Sequence, residues 1–166
     1  MGNRRAETTH RRRKKDMKIT AQSRYALRIL LDAAVHGGNG VRSIKEIAAS
    51  QDISEKFISR IVVPLRRAGL LATERGAKGG VKLARVPEKI TLLDIVEATD
   101  GPLALVACLS KPGVCPRQGR CAAERAWAGV DAAFSAALRD TTLAAVVEDY
   151  RRFEEVGSVA EPDYCI

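Results

Sequence analysis

The chain has 166 residues, a net charge of +8 and 46% apolar residues, enough for one domain with a core and too apolar for wholesale disorder. Aromatic residues make up only 4%, which argues against a single-strand binder that stacks bases on exposed rings. No apolar run approaches the length of a membrane span, and no apolar run follows Arg11–Lys15 as it would in a secretory signal, so a cytoplasmic protein without membrane contact is expected.

The charge is unevenly spread. Residues 1–16 carry a net +5, residues 17–85 a net +8 and residues 86–166 a net −5. A basic front and an acidic rear point to a polyanion as partner of the front. Residues 1–16 read as a dispensable, disordered basic tail, because Met17 opens a complete pattern of its own.

Between Thr20 and His36, Ala26, Ile29, Leu30 and Ala33 recur at helical spacing, and Gly37-Gly38-Asn39-Gly40 ends the helix. Ser43-Ile44-Lys45-Glu46 has the form of a capping box opening a short helix, 44–50. Gln51-Asp52-Ile53 is a tight turn before a second N-cap, Ser54. In the helix that follows, Ile58, Ile61, Val62 and Leu65 form a buried stripe, and the opposite face carries Lys56, Ser59 and Arg60. Pro64 removes a backbone donor and is expected to kink this helix before Gly69 stops it. Two short helices joined by a tight turn, the second basic on its outer face, read as a helix-turn-helix. Leu70–Glu74 and Val81–Ala84 are strand-like, and the glycine-rich Arg75–Gly80 between them makes a hairpin tipped by Arg75 and Lys78. The fold class expected is therefore mainly α with a small β-hairpin: a winged helix-turn-helix over residues 17–100 carrying a C-terminal dimerisation helix.

Thr91-Leu92-Leu93-Asp94 opens a capped helix, 92–99. Residues 101–121 are rich in Pro and Gly and show no periodicity, and a structureless loop of that length calls for a reason. From Ala122 to about Arg139 a helix returns, with Trp127, Val130, Phe134 and Leu138 on an apolar stripe expected to bury itself in a homodimer interface. Packing back on its own domain is the alternative. Thr142 caps a last helix, the 122–156 unit ends there, and 157–166 read as a frayed tail.

The reason for the loop lies in Cys108, Cys115 and Cys121. In a reducing compartment such a group favours metal or redox chemistry over disulfides. Zinc is a rival, but its usual pairs have two residues between cysteines, whereas here six and five intervene. Wide spacing suits a larger object, an iron–sulfur cluster of the 2Fe-2S or 4Fe-4S type; a metal-free thiol switch, or metal-free control by a protein partner docking on the acidic rear, also stays open. Glu124, three residues after Cys121, is the leading fourth ligand. Cys165, His36 of a neighbouring subunit, or an open corner taken by solvent or a small thiol are the others. No nucleophile–base pair, carboxylate dyad or phosphate-binding glycine loop is present, so an enzyme is not expected.

In combination, Met17-Lys18-Ile19-Thr20, Arg24-Tyr25-Ala26-Leu27, Ile44-Lys45-Glu46-Ile47-Ala48, Leu65-Arg66-Arg67-Ala68-Gly69-Leu70-Leu71, Arg75-Gly76, Gly79-Gly80, Ile90-Thr91-Leu92-Leu93-Asp94-Ile95 and Asp100-Gly101-Pro102-Leu103 resemble the Rrf-two (Rrf2) family of bacterial transcription regulators, which includes IscR, NsrR and RirA types. The resemblance runs from Met17 to about Tyr150, and Cys108, Cys115 and Cys121 stand where the family's cluster cysteines stand. It implies a homodimer on palindromic double-stranded DNA, with recognition helices in major grooves and wings along the minor groove. Base-reading positions would be Ser54, Lys56, Ser59 and Arg60, with Ser43 beside them and Arg75 and Lys78 in the wing. Phosphate contacts would come from Lys18, Arg24 and Arg28. This chain departs from IscR-like members, which have histidine where Glu124 stands, and from NsrR-like members, which can use an aspartate where Arg24 stands.

Overall fold

The computed structural model describes residues 19–38, 40–76 and 79–155. Lys18, Lys78, Cys165 and the two tails expected from the sequence lie outside them.

The chain begins with α1 (Ala21–His36), α2 (Ile44–Gln51) and α3 (Glu55–Arg67). Each starts at a hydroxyl residue in extended backbone, and the hydroxyl accepts an orphan amide of the first turn. Thr20 takes Gln22 N–H at 3.1 Å, Ser43 takes Glu46 N–H at 3.2 Å and Ser54 takes Phe57 N–H at 3.3 Å. The Ser43–Glu46 capping box is closed, since Glu46 Oε2 accepts Ser43 N–H at 2.8 Å. The turn between α2 and α3 rests on Asp52 at φ 51°, the left-handed region that short polar side chains tolerate. α3 runs through Pro64 to Arg67 as one helix.

β1 (Leu71–Glu74) and β2 (Gly80–Leu83) pair antiparallel, Leu71 opposite Leu83 and Glu74 opposite Gly80. Leu70 and Ala84 fall just outside the strands, joined by Ala84 N–H to Leu70 O at 3.1 Å. Arg42 adds a rung on the far side of β2, exchanging both backbone hydrogen bonds with Val81 at 2.8 Å. A 3-10 turn (Pro87–Lys89) leads to α4 (Leu92–Asp100), whose capping box Thr91–Asp94 is also closed. The segment expected to lack regular structure contains one short helix, α5 (Ala107–Ser110); α6 (Ala122–Asp140) and α7 (Leu143–Glu155) follow.

One apolar core joins these parts. Ala26, Ile29, Leu30 and Ala33 of α1 meet Ile47 of α2, Ile58, Ile61 and Leu65 of α3, Leu71 and Val81 of the hairpin, and Ile90 and Ile95 around α4. α7 returns to the same core through Leu143 and Val147. Leu143 N–H to Ile90 O at 2.7 Å and Leu92 N–H to Thr141 O at 2.9 Å pin its start. The arrangement is a winged helix with α6 projecting from it. Among the described residues no helix is long and apolar enough to cross a membrane.

Candidate DNA interface and cysteine loop

The α3 stripe Ile58–Ile61–Val62–Leu65 is buried, so Lys56, Ser59 and Arg60 are turned outward by the helical period. Val63, Arg66 and Arg67 extend that exposed face. Ser54 and Ser43 sit at helix starts with their hydroxyls accepting capping bonds, and Ser59 Oγ donates to Glu55 O at 2.8 Å. Arg75 is exposed where β1 ends. A groove of about 410 Å3 runs between α3 and the wing, lined by Ser59, Val62, Thr73, Gly76 and Gly79 among others.

Of the two α1 arginines, Arg24 is exposed and has no side-chain partner among the described residues. Arg28 is already engaged. Its Nε donates to Gln51 Oε1 at 3.0 Å, its Nη2 donates to the Gln51 carbonyl, and its guanidinium lies 5.5 Å from the centre of the Tyr25 ring. It ties α1 to the end of α2, a role that the expectation of a phosphate contact did not include.

A charged hub behind these elements was not foreseen. The Asp32 side chain is fully buried, and it accepts Arg42 Nε at 2.9 Å, Gln51 Nε2 at 3.2 Å and the Ser50 hydroxyl. Burial pushes this carboxyl up, but the hydrogen bonds from Ser50, Arg42 and Gln51 outweigh it and hold it below the ordinary carboxylate value. Arg42 also reaches Glu46 at 3.5 Å. One carboxylate on α1 therefore holds the end of α2 directly through Ser50 and Gln51, and the start of α2 and the inner edge of the wing through Arg42. His36 belongs to this hub too, with Nδ1 3.8 Å from Asp32 and its ring edge-on to Tyr150 of α7.

Cys108, Cys115 and Cys121 are free thiols, each half-buried, on the segment between α4 and α6. Side-chain amide and carboxylate groups gather this segment. Gln118 accepts Gly113 N–H at 2.7 Å through Oε1 and donates through Nε2 to Cys108 O at 2.6 Å; Asp131 of α6 accepts Leu105 N–H at 2.7 Å. Among the described residues, no three His, Cys, Asp or Glu side chains converge as a metal site. Glu124, expected as a fourth ligand, has its Oε2 on Gly119 N–H at 2.6 Å, where it braces the loop. The donor set still fits iron–sulfur chemistry, being three unpaired, partly exposed thiols on one loop. Gathering those thiols would take movement of the loop. An open cavity of about 750 Å3 adjoins Cys121, walled by Leu109, Arg120, Glu124, Arg125 and Ala126 among others.

The expected dimer stripe on α6 is split. Leu138 is only 8% exposed and packs inside its own protomer, so it is not available to a partner; Phe134 is half-buried. Trp127 and Val130 are 48% and 52% exposed. Ala122, Ala126, Gly129 and Ala133, which share a separate face at helical spacing, are all exposed.

The sequence matches the family model Rrf2, described as iron-dependent transcriptional regulator, over residues 19–149. It is 38% identical over 133 residues to the protein rrf2 of Nitratidesulfovibrio vulgaris, covering 80% of this chain and 89% of that protein. The solved structure of CymR, described as the global cysteine regulator of B. subtilis, superposes with a TM-score of 0.67 at 34% identity, over 80% of this chain and 97% of that one. The T. potens IscR structure gives 0.63 at 29% identity, over 87% and 94%. The family and CymR are both described as regulators, not as enzymes. With a helix-turn-helix, a two-stranded wing and a family match across nearly all the described residues, the chain belongs to the Rrf2 family of DNA-binding transcriptional regulators.

Proposed function

We propose that this chain is a cytoplasmic, homodimeric repressor of transcription, and that the state of its Cys108–Cys121 loop sets its affinity for a palindromic operator. The observation that carries the reading is the placement of three free, half-buried thiols on one loop rooted in α4, which packs on α1 of the winged helix. Lys56, Ser59 and Arg60 would meet base edges, Arg75 and Lys78 the minor groove, and Lys18 and Arg24 phosphates. Cys108, Cys115 and Cys121 would hold a 2Fe-2S or 4Fe-4S cluster, which supplies redox- and iron-dependent ligation when bound. The family description as iron-dependent supports this. Anaerobic purification followed by an absorption spectrum and iron analysis tests it. A brown, iron-containing protein is expected, and a colourless, iron-free dimer after anaerobic reconstitution overturns it.

A second reading, metal-free control by thiol oxidation, draws on the lack of a converged ligand set among the described residues and on the likeness to a global cysteine regulator. It predicts full DNA response in iron-free protein treated with a mild oxidant. For the dimer, the exposed Ala122–Ala126–Gly129–Ala133 face with neighbouring Val130 is the surface that a partner α6 would cover closely. Gly129→Arg would then yield monomers by light scattering, whereas an unchanged dimer would move the interface elsewhere.

A further inference from the structure

Four helices of the winged helix begin at a Ser or Thr N-cap; α3 has Phe57 at the box position, and α1 is completed from a distant part of the chain. In α2 and α4 the box is closed from within: Glu46 accepts Ser43 N–H at 2.8 Å, and Asp94 accepts Thr91 N–H at 2.9 Å. In α1 the matching position is Ser23, and the first turn holds no acidic residue. The missing carboxylate comes from Asp100, the last residue of α4, 80 positions along the chain. Its Oδ2 accepts Thr20 N–H at 3.0 Å, its Oδ1 accepts the Thr20 hydroxyl at 2.7 Å, and the Ser23 hydroxyl also donates to it. Ser23 is 3% exposed and shares a further hydrogen bond of 2.7 Å with Thr99.

An aspartate in the last turn of α4 faces the negative end of its own helix, where a carboxylate is disfavoured; against the start of α1 it meets a positive end and is favoured. Its position makes sense as a cap for α1 rather than as part of α4. The next residue, Gly101 at φ 91°, is the first of the cysteine segment, so the root of that segment and the cap of α1 are neighbours in the chain. α1 then carries Arg24 one turn on, and Asp32 with its ties to α2 and the wing.

We infer that Asp100 is a positioning residue that couples the cysteine loop to the DNA-reading elements, by supplying or withdrawing the N-terminal cap of α1. The inference rests on the proposed control by the loop. It is tested on the full-length, iron-free protein by blocking the loop thiols with iodoacetamide. Amide exchange is then followed in the segments Thr20–Arg24 and Ile44–Gln51, with affinity measured for a duplex selected by the wild-type protein from a random pool. In the wild type, alkylation is expected to speed exchange in Thr20–Arg24 severalfold and to change DNA affinity. In Asp100→Asn, and in Ser23→Ala should the first variant fold poorly, exchange there is fast from the start and alkylation changes neither quantity further.

A residue that merely stabilises the fold would lower the melting temperature while leaving the response to alkylation intact. That result overturns the coupling and leaves control by the loop standing. So does a wild type whose DNA affinity responds while Thr20–Arg24 does not. If the wild type shows no response in either, the coupling and the control by the loop both fall.

Discussion

Replacing Asp32 by Asn probes how the DNA-reading elements are held together. The Asp32 side chain has no solvent exposure, and three donors converge on it from Arg42, Ser50 and Gln51. Asn offers one acceptor oxygen and turns an NH2 group toward donors, so at least one buried donor loses its partner and the Arg42 guanidinium loses its counter-charge. Hydrogen bonds to a charged group contribute about 1.5–3 kcal/mol, and breaking one side of a buried pair costs about 3–5 kcal/mol. Arg42 keeps 20% of its side chain in water, which eases its loss and sets the expectation near 3 kcal/mol. For a chain of this size that lowers the melting temperature by about 6–12 °C.

Urea denaturation at one fixed protein concentration, followed by the fluorescence of Trp127, measures the difference. The Asp32 carboxyl lies below its unfolded value near about 3.9. Its contribution is therefore complete above that value and fades as pH falls through the folded one. Wild type and Asp32→Asn should thus differ most at neutral pH and converge in acid. A loss below about 1 kcal/mol at pH 7, or a gap that widens in acid, would refute the role given to this carboxylate.

Gly80→Ala would set a Cβ 2.3 Å from Arg42 O and 2.9 Å from Ser43 N. Backbone cannot yield cheaply, so a loss of about 1–3 kcal/mol is expected in denaturant titration, with weaker DNA binding because the wing shifts. Leu143→Ala empties a fully buried site that joins α7 to the core, and about 2–5 kcal/mol of stability should go with it, read from urea melts. Arg60→Ala should weaken binding to a selected duplex by roughly 1–3 kcal/mol while sparing random DNA; equal loss on both in a competition assay would make it a phosphate contact.

Local signals in the sequence were enough for the helix starts. Ser43, Ser54 and Thr91 each cap the helix expected of them, because an N-cap bond reaches only two or three residues along the chain. The hairpin was legible for the same reason. What escaped was decided at long range. Asp32 looks like an ordinary polar residue in an apolar helix until Arg42, Ser50 and Gln51 close around it. Arg28 looks like a free cation until Gln51 proves to lie beside it. In the cysteine segment, Gln118 and Glu124 decide the path of the chain by side-chain bonds to the backbone, and no periodicity announces such bonds. α5, at four residues, is too short to show a period at all.

The dimer face shows most clearly where pattern stops and packing begins. A helical stripe such as Trp127–Val130–Phe134–Leu138 establishes that α6 has an apolar side, but the same stripe serves a partner subunit or the parent domain. Within the protomer only part of the stripe is engaged: Leu138 is buried, and Asp131, on that same side, holds Leu105 of the loop segment. Trp127 and Val130 stay about half exposed, and beside them the small residues at 122, 126, 129 and 133 form an exposed face of their own. A second helix can approach such a face more closely than one studded with Trp and Phe. Such an interface would also leave the start of α6, with Cys121 and the braced Glu124, beside the partner rather than beneath it. Changes in the loop could then reach the spacing of the two recognition helices by two routes, through the mated α6 helices and through Asp100 into α1.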